Sequence, residues 1–404
     1  MSIKHIAPIF RLSLLSGLLI FLLTGCWDRI EVNDLALVTG AAIDRYDDHS
    51  IELSVQIFVP RGSSSGTLES GSTKGGETGN QSSYVRSAHG TNLADALSHL
   101  QEKLPRKVFW GHTEVIIFGE AVARSGIRDD LDYFMRAPQP RERAYMYVTK
   151  GQGRDFLEMS TKLERNTAEV LREISKSKIT LSVTLSDLAQ MLASGSNSAA
   201  LPYLELLAPL TTNNSDKTES FLNATAVFKS DKMVGKIDDR TTRGILWLRD
   251  EIKQAVITVT PEGEEGTVSA NLIRSKTKLE PIIKDGKWQM NVWIQTEDDA
   301  LQNTTMLNLV ADPKALQIVQ NALNDDIESR VRMALDKVQL DLKADIFDFA
   351  GEFHRVYPKE WKKNQNRWDE LFPTVEVAIH AQAKMLRPGL SSIKARESEK
   401  ESAK

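Results

Sequence analysis

The residue whose chemistry is most constrained by its neighbours is Cys26, which closes the tetrapeptide Leu23-Thr24-Gly25-Cys26. Ahead of it, Lys4 and Arg11 flank a short polar stretch, and Leu12 to Leu23 is mostly apolar. That run is too short to cross roughly 30 Å of hydrocarbon at about 1.5 Å per helical residue, and it has the length of a signal-peptide core. One large aliphatic residue, two small ones and a cysteine read as a lipobox. The small side chains fit a peptidase cleft, and the thiol is the nucleophile that takes the lipid. A plain secretory signal with an incidental cysteine is the alternative. Cys26 is the chain's only cysteine and stands at the cut site, which favours the anchor. A single lipid chain binds a bilayer marginally, whereas two or three hold firmly. With one cysteine in an exported chain, no internal disulfide can form.

Other catalytic signals are missing. The sequence has no Gly-x-Ser-x-Gly elbow, no His-Glu-x-x-His and no phosphate-binding Gly-x-x-x-x-Gly-Lys. Past the leader, the histidines are His49, His89, His99, His112, His354 and His380, and no pair has recognised ligand spacing. His112 and Glu114, two apart, would share one side of a strand. A metal or acid–base role is conceivable there, against the plainer reading of a hydrogen-bonded pair near a sheet edge. His354 falls at a helix end, where a cation suits the dipole. Asp129-Asp130, Asp238-Asp239 and Asp325-Asp326 are sequence neighbours, and adjacent helical residues do not face each other. No metal, cofactor or catalytic residue is therefore assigned. The net charge of −4 becomes more negative once Lys4 and Arg11 leave with the leader, and a nucleic-acid-binding footprint is missing.

The elements are legible as periodicities. Leu35 to Ile43 is an apolar strand, and Ile51, Leu53, Val55, Ile57 and Val59 alternate as in a half-buried strand. Residues 61–83 are poor in apolar groups and read as a flexible loop. Thr91 reads as a helix cap, followed by Leu93, Ala96, Leu97 and Leu100 at helical spacing. Strands are expected at Thr113–Phe118, Arg143–Thr149, Leu201–Leu207, Phe221–Phe228 and Lys232–Ile237. Helices are expected at 126–135, 162–176, 184–192 and 238–248. Further strand runs are Val268–Ile273, Leu279–Ile283 and Trp288–Ile294. Asp312-Pro313 opens a long helix whose stripe of Val319, Leu323, Ile327, Val331, Leu335, Val338 and Leu342 fits a helix lying on a sheet better than a coiled coil. Val375, Val377 and Ile379 begin a last strand. The expected class is α+β, with three successive domains, each a mostly antiparallel β-sheet with flanking helices. Their bounds are 26–160, 161–250 and 251–388, between a signal peptide at 1–25 and a disordered tail at 389–404.

Aromatic residues gather at Phe109-Trp110-Gly111-His112, at Arg243-Gly244-Ile245-Leu246-Trp247, and at Tyr357-Pro358-Lys359-Glu360-Trp361 with Trp368 and Phe372. Core packing is the plain reading. The alternative makes Trp110, His112, Arg243, Trp247 and Trp361 contacts for a partner protein, where Trp, Tyr and Arg are enriched.

These same segments resemble the C-subunit lipoproteins of spore germinant receptors, the Ger(x)C family. Gly25-Cys26-Trp27-Asp28-Arg29 with Asn33-Asp34-Leu35-Ala36 looks like that family's mature start. Gln101–Leu104 through Phe109–His112, Arg141–Tyr145, Thr225–Lys229, Met233-Val234-Gly235, Thr242-Arg243-Gly244 with Trp247, and Asp345-Ile346-Phe347 with Tyr357–Trp361 resemble its later blocks in order. Asn223 stands where glycine is expected, and Phe349–Glu352 is a looser version of a Gly-Glu segment. The resemblance implies three α+β domains, a diacylglyceryl anchor on Cys26, and the spore inner membrane as location. It also implies integral-membrane A and B subunits as partners, the bilayer as a contact through the acyl chains, and a non-enzymatic part in germination. It carries over no catalytic residues. The competing classes are a solute-binding lipoprotein and an anchored envelope hydrolase. The second of these requires a cleft with converging titratable groups.

Overall fold

The computed structural model describes residues 31, 34–59, 83–137, 139–159, 164–206 and 221–387. Cys26 and its leader, nearly all of the 61–83 segment and the 389–404 tail lie outside the described residues. Elements in the first part are β1 (Leu35–Arg45), β2 (Ile51–Phe58), β3 (Ser83–Gly90), α1 (Leu93–Glu102), β4 (Lys107–Phe109), β5 (Val115–Gly119), α2 (Glu120–Ser125), α3 (Arg128–Arg136), β6 (Tyr145–Thr149), α4 (Gly153–Leu157), α5 (Thr167–Ser177) and α6 (Leu185–Ala193). They are followed by β7 (Ser198–Leu206), β8 (Phe221–Lys229), β9 (Lys232–Ile237) and α7 (Asp239–Leu248).

All these strands form one sheet in the order β3-β2-β1-β5-β6-β7-β8-β9, with β4 beside the start of β1. The first two expected units thus share a sheet. Their join is thin: β6 and β7 meet in only two register pairs, Val148↔Tyr203 and Thr149↔Leu204. Pairing is antiparallel within the hairpins and parallel at β1–β5, β5–β6 and β6–β7. The helical crossovers between β5, β6 and β7 return each strand in the same direction, which hairpin patterns alone do not reveal.

Burial on both faces explains the apolar run of β1. Ala41 and Ile43 belong to one buried cluster, with Leu93, Ala96, Val122 and Leu131, while Ala42 belongs to another, with Phe156, Leu157, Ala168 and Leu171. β2 is buried along nearly its whole length rather than half-buried as its alternation suggests. Its polar face lies under α4 and α5 and is bonded there. Gln56 donates to the Leu157 carbonyl at 2.8 Å, Glu52 pairs with Arg154 at 3.2 Å, and the Ser54 and Ser87 hydroxyls meet at 2.7 Å. Paired polar groups tolerate burial. The α1 cap is Asn92, one residue after Thr91: its Oδ1 accepts the Asp95 N–H, and Thr91 instead donates to the Asp95 carboxylate.

The last part contains β10 (Val256–Val259), β11 (Val268–Lys284), β12 (Lys287–Asn303), α8 (Pro313–Leu335), α9 (Phe349–Val356), α10 (Pro358–Asn364), α11 (Trp368–Leu371) and β13 (Glu376–Arg387). The second sheet runs β10-β11-β12-β13, with β12 and β13 parallel. The runs expected at 268–273 and 279–283 are one 17-residue strand. Its polar middle crosses the end of α7, where Thr277 donates its hydroxyl to the Trp247 carbonyl and its N–H to Asp250. Hydrogen bonds replace apolar contact there, so the strand pattern is interrupted.

Asp312 caps α8 and Pro313 is its first residue, as expected. The helix continues as a π-helical segment, Asp336–Leu342. The stripe from Val319 to Val338 is buried. Beside it, Gln320, Asn324 and Glu328 accept the N–H groups of Met385, Ala383 and Ala381 at 3.0, 2.6 and 3.1 Å. α8 therefore covers the outer edge of β13 as well as packing beside the sheet. α7 and α8 touch at Gly244, where a Cβ would lie 2.2 Å from the Arg330 carbonyl oxygen and 2.8 Å from Ala334 Cβ.

Gly244→Ala should lower the free energy of unfolding by on the order of 2 kcal/mol through overpacking. The check is the midpoint of thermal unfolding, and an unchanged midpoint would mean the two helices separate freely. A second expectation concerns Asp298, buried on β12. Its Oδ2 accepts the Thr296 hydroxyl at 2.5 Å and its Oδ1 has no partner among the described residues. Burial pushes this carboxyl up to about 6, so the folded chain keeps a proton that the unfolded chain releases near 3.8. The associated stability is complete at acid pH and is lost as pH rises through about 6. Asp298→Asn should flatten that fall, as read by denaturant unfolding at a series of pH values. Identical pH profiles for the two chains would remove Asp298 as its source.

Candidate functional site

A cleft of about 690 Å³ lies where the three parts of the chain meet. One wall is α6 with residues 178–184. The second is the turn at 249–253 that follows α7, and the third is the 345–348 loop that precedes α9. Arg249 joins all three. Its Nη1 donates to the Ile346 carbonyl at 2.7 Å and lies 3.5 Å from Met191 Sδ, and its Nε donates to Glu251 at 2.9 Å.

The carboxyls lining the cleft are committed to the fold. Asp187 forms a capping box with Thr184. Asp250 accepts the Thr277 N–H and pairs with Lys276. Glu251 pairs with Arg249. Asp348 takes the Gly351 N–H, and burial raises its carboxyl. Asp345 is buried and accepts four donors: the N–H groups of Phe347, Phe349 and Ala350, and the indole of Trp368. Burial pushes Asp345 up to about 6, and those bonds oppose the rise. Among the described residues no group of three or more His, Cys, Asp or Glu side chains could hold a metal ion. The sequence carried a signal for Asp345, a single acid inside the run Ala344-Asp345-Ile346-Phe347. It carried none for Arg249.

The partner-contact candidates separate into two kinds. Trp110, Trp247 and Trp361 are buried in this chain's own core, so in this conformation their rings are not offered to a partner. Trp110 meets Phe134 edge-on at 5.8 Å. Trp361 stands in a cluster with His354 and Trp368 and reaches Gly195 after α6, where a Cβ would lie 2.8 Å from its Cζ2. His112 is exposed and Arg243 half-buried. The structure does not bring the five together in one site. Nor do His112 and Glu114 form a pair. Trp110–His112 is a turn of 3-10 helix, which breaks the strand alternation, and Glu114 is bound by Arg172. Burial raises the Glu114 carboxyl, and the guanidinium opposes that. His354 lies in the last turn of α9, where the dipole argument places it.

Comparison with known proteins agrees with this architecture. A spore germination protein N-terminal domain matches residues 28–206, and a spore germination B3/GerAC-like C-terminal domain matches residues 223–389. YfkR of Bacillus subtilis (strain 168) is 30% identical over 369 residues, covering 90% of this chain and 92% of its own. Spore germination protein KC of the same organism is 25% identical over 398 residues, covering 94% and 96%. The crystal structure of the GerBC protein aligns with a TM-score of 0.56 at 20% identity, over 86% of this chain and 97% of that one, which shows a shared fold. With both halves matched in order, this chain belongs to the Ger(x)C family of spore germination proteins.

Proposed function

We propose that this chain is the lipid-anchored subunit of a spore germinant receptor, acting by assembly with integral-membrane A and B subunits and not by catalysis. The observation that carries this reading is the placement of Leu23-Thr24-Gly25-Cys26 immediately before the family match that starts at residue 28. Cleavage before Cys26 and acylation of its thiol would leave the chain on the outer face of the membrane, expected in the spore inner membrane. Only a few residues then separate the lipid from β1, so the first part would sit near the bilayer. The units at 26–160, 161–250 and 251–388 would form one array, joined at Gly244 and Arg249. The carboxyls of the cleft are occupied by structural bonds, which suits a positioning role.

Cys26→Ala should release the chain from spore membranes and abolish the response to nutrients. Retention together with an unchanged response would end the anchored-subunit reading. Crosslinking in spore membranes should recover the A and B subunits with the wild-type chain. The junction cleft keeps a second reading in play, capture of a small solute for a transporter. Isothermal titration of the chain with amino acids, sugars and nucleosides separates the two. Tight one-to-one binding by this subunit alone would favour capture.

A further inference from the structure

The second sheet has one face packed against helices and one face open. Register fixes the open rows: Lys276, Gln295 and Gln382 lie side by side, as do Lys278, Trp293 and His380. Near the end of this face, three strands each carry a bulge. Ile273 is the extra residue of β11 between Leu272 and Arg274, Leu301 that of β12 opposite the Ser269–Ala270 step, and Leu386 that of β13 between Met385 and Arg387. A bulge re-aims a side chain, and all three of these are apolar and exposed, Leu301 by 60%. Val256 of β10, paired with Asn271, is exposed beside them. With strands about 4.8 Å apart, the four lie within roughly 20 Å of one another.

The connection from β12 to α8 extends this apolar end and is held by its own side chains. Asn303 Oδ1 accepts the Thr305 N–H at 2.9 Å, Asn308 Oδ1 accepts the Ala311 N–H at 3.0 Å, and the Met306 N–H donates to Glu264 at 3.2 Å. The loop so fixed presents Met306, 73% exposed, and Val310 to solvent. Further along the same face, Lys278 and Lys384 form no ion pair among the described residues; Glu297, opposite Lys384 in the register, is paired with Arg274 instead. Beside Lys278 stands Trp293, 43% exposed, its ring 4.1 Å from His380 and its indole N–H bonded to Glu280.

We propose that this face rests on an anionic lipid surface, with Leu301, Met306 and their neighbours entering the headgroup boundary. The chemistry distinguishes lipid from a protein partner. Leucine and valine are poor anchors in protein interfaces, which rely on Trp, Tyr and Arg. Aliphatic side chains on one face with Lys278, Lys384 and an amphipathic tryptophan suit a headgroup layer, where the amines meet phosphates and the indole lies at the interface. This placement deepens the membrane reading given above but does not need the lipid on Cys26.

The test therefore uses the chain from residue 27 onward, which keeps every described residue and contains no cysteine. Leu301→Cys then supplies a unique thiol for a polarity-sensitive fluorophore. Its emission should shift to the blue with vesicles containing phosphatidylglycerol and not with phosphatidylcholine alone. The same label at Ile179→Cys, an exposed position outside this sheet, should stay in water. Lys278→Glu and Lys384→Glu should each weaken the lipid response about fivefold. The proposal is overturned if the label at 301 stays in water at saturating anionic lipid, or if the label at 179 shifts equally. It is also overturned if position 301 is buried only in membranes that contain the A and B subunits. If the labelled chain passes this test while Cys26→Ala in the full chain changes nothing, the lipid contact of this face stands and the anchored-subunit reading falls.

Discussion

The approach of α7 to α8 at Gly244 is the constraint from which the rest of the arrangement follows. α7 belongs to the first sheet, α8 to the second, and there is no room for a Cβ between Gly244 and the Arg330 carbonyl. One turn later, the Trp247 carbonyl accepts the Thr277 hydroxyl, and Asp250 accepts the Thr277 N–H. Between these, Arg249 reaches the Ile346 carbonyl. A single short stretch of chain therefore sets the position of β11, α8 and the loop before α9. The cleft is the space left between walls that this stretch holds apart. Close helix packing of this kind transmits displacement rather than absorbing it.

The second sheet needed protection along one edge. β13 pairs with β12 on one side only, and an unpaired strand edge invites other chains. Side chains every four residues along α8, about 6 Å apart, match N–H groups every two residues along β13, about 6.6 Å apart. Gln320, Asn324 and Glu328 use that match, and Arg332 continues the line by donating to the Val377 carbonyl at 3.2 Å. The apolar stripe of α8 and this polar line beside it have the same period because both are read by one strand. The face of the sheet turned away from α8 has no such cover among the described residues, and its three bulges carry exposed apolar side chains.

Local signals were legible in the sequence, and assembled ones were not. Asp312-Pro313, Thr184 and Asp238 marked helix starts because a cap acts within three residues of itself. The parallel pairing of β5 with β6 and the burial of Gln56 depend on helices that arrive much later in the chain. Tryptophans posed the hardest case. Trp247 in a core and a tryptophan in an interface have the same composition around them, and only burial separates the two. The cleft was invisible because its walls come from three distant segments. The family resemblance supplied what composition and periodicity could not, the order of blocks along the whole chain.

Polar chemistry in this molecule is concentrated on fixing one part against another. Asp345 gathers four N–H donors and thereby ties the 345–350 loop to Trp368. Trp368 packs on Trp361, and Trp361 lies against Gly195 at the end of α6. The same loop gives the Ile346 carbonyl to Arg249, whose Nη1 also lies beside Met191 on α6. α6 is thus reached twice from the last unit, through an aromatic stack and through a guanidinium. Two separate attachments resist rotation where a single one would act as a hinge. A body braced in this way carries a push on one unit to the others with little loss.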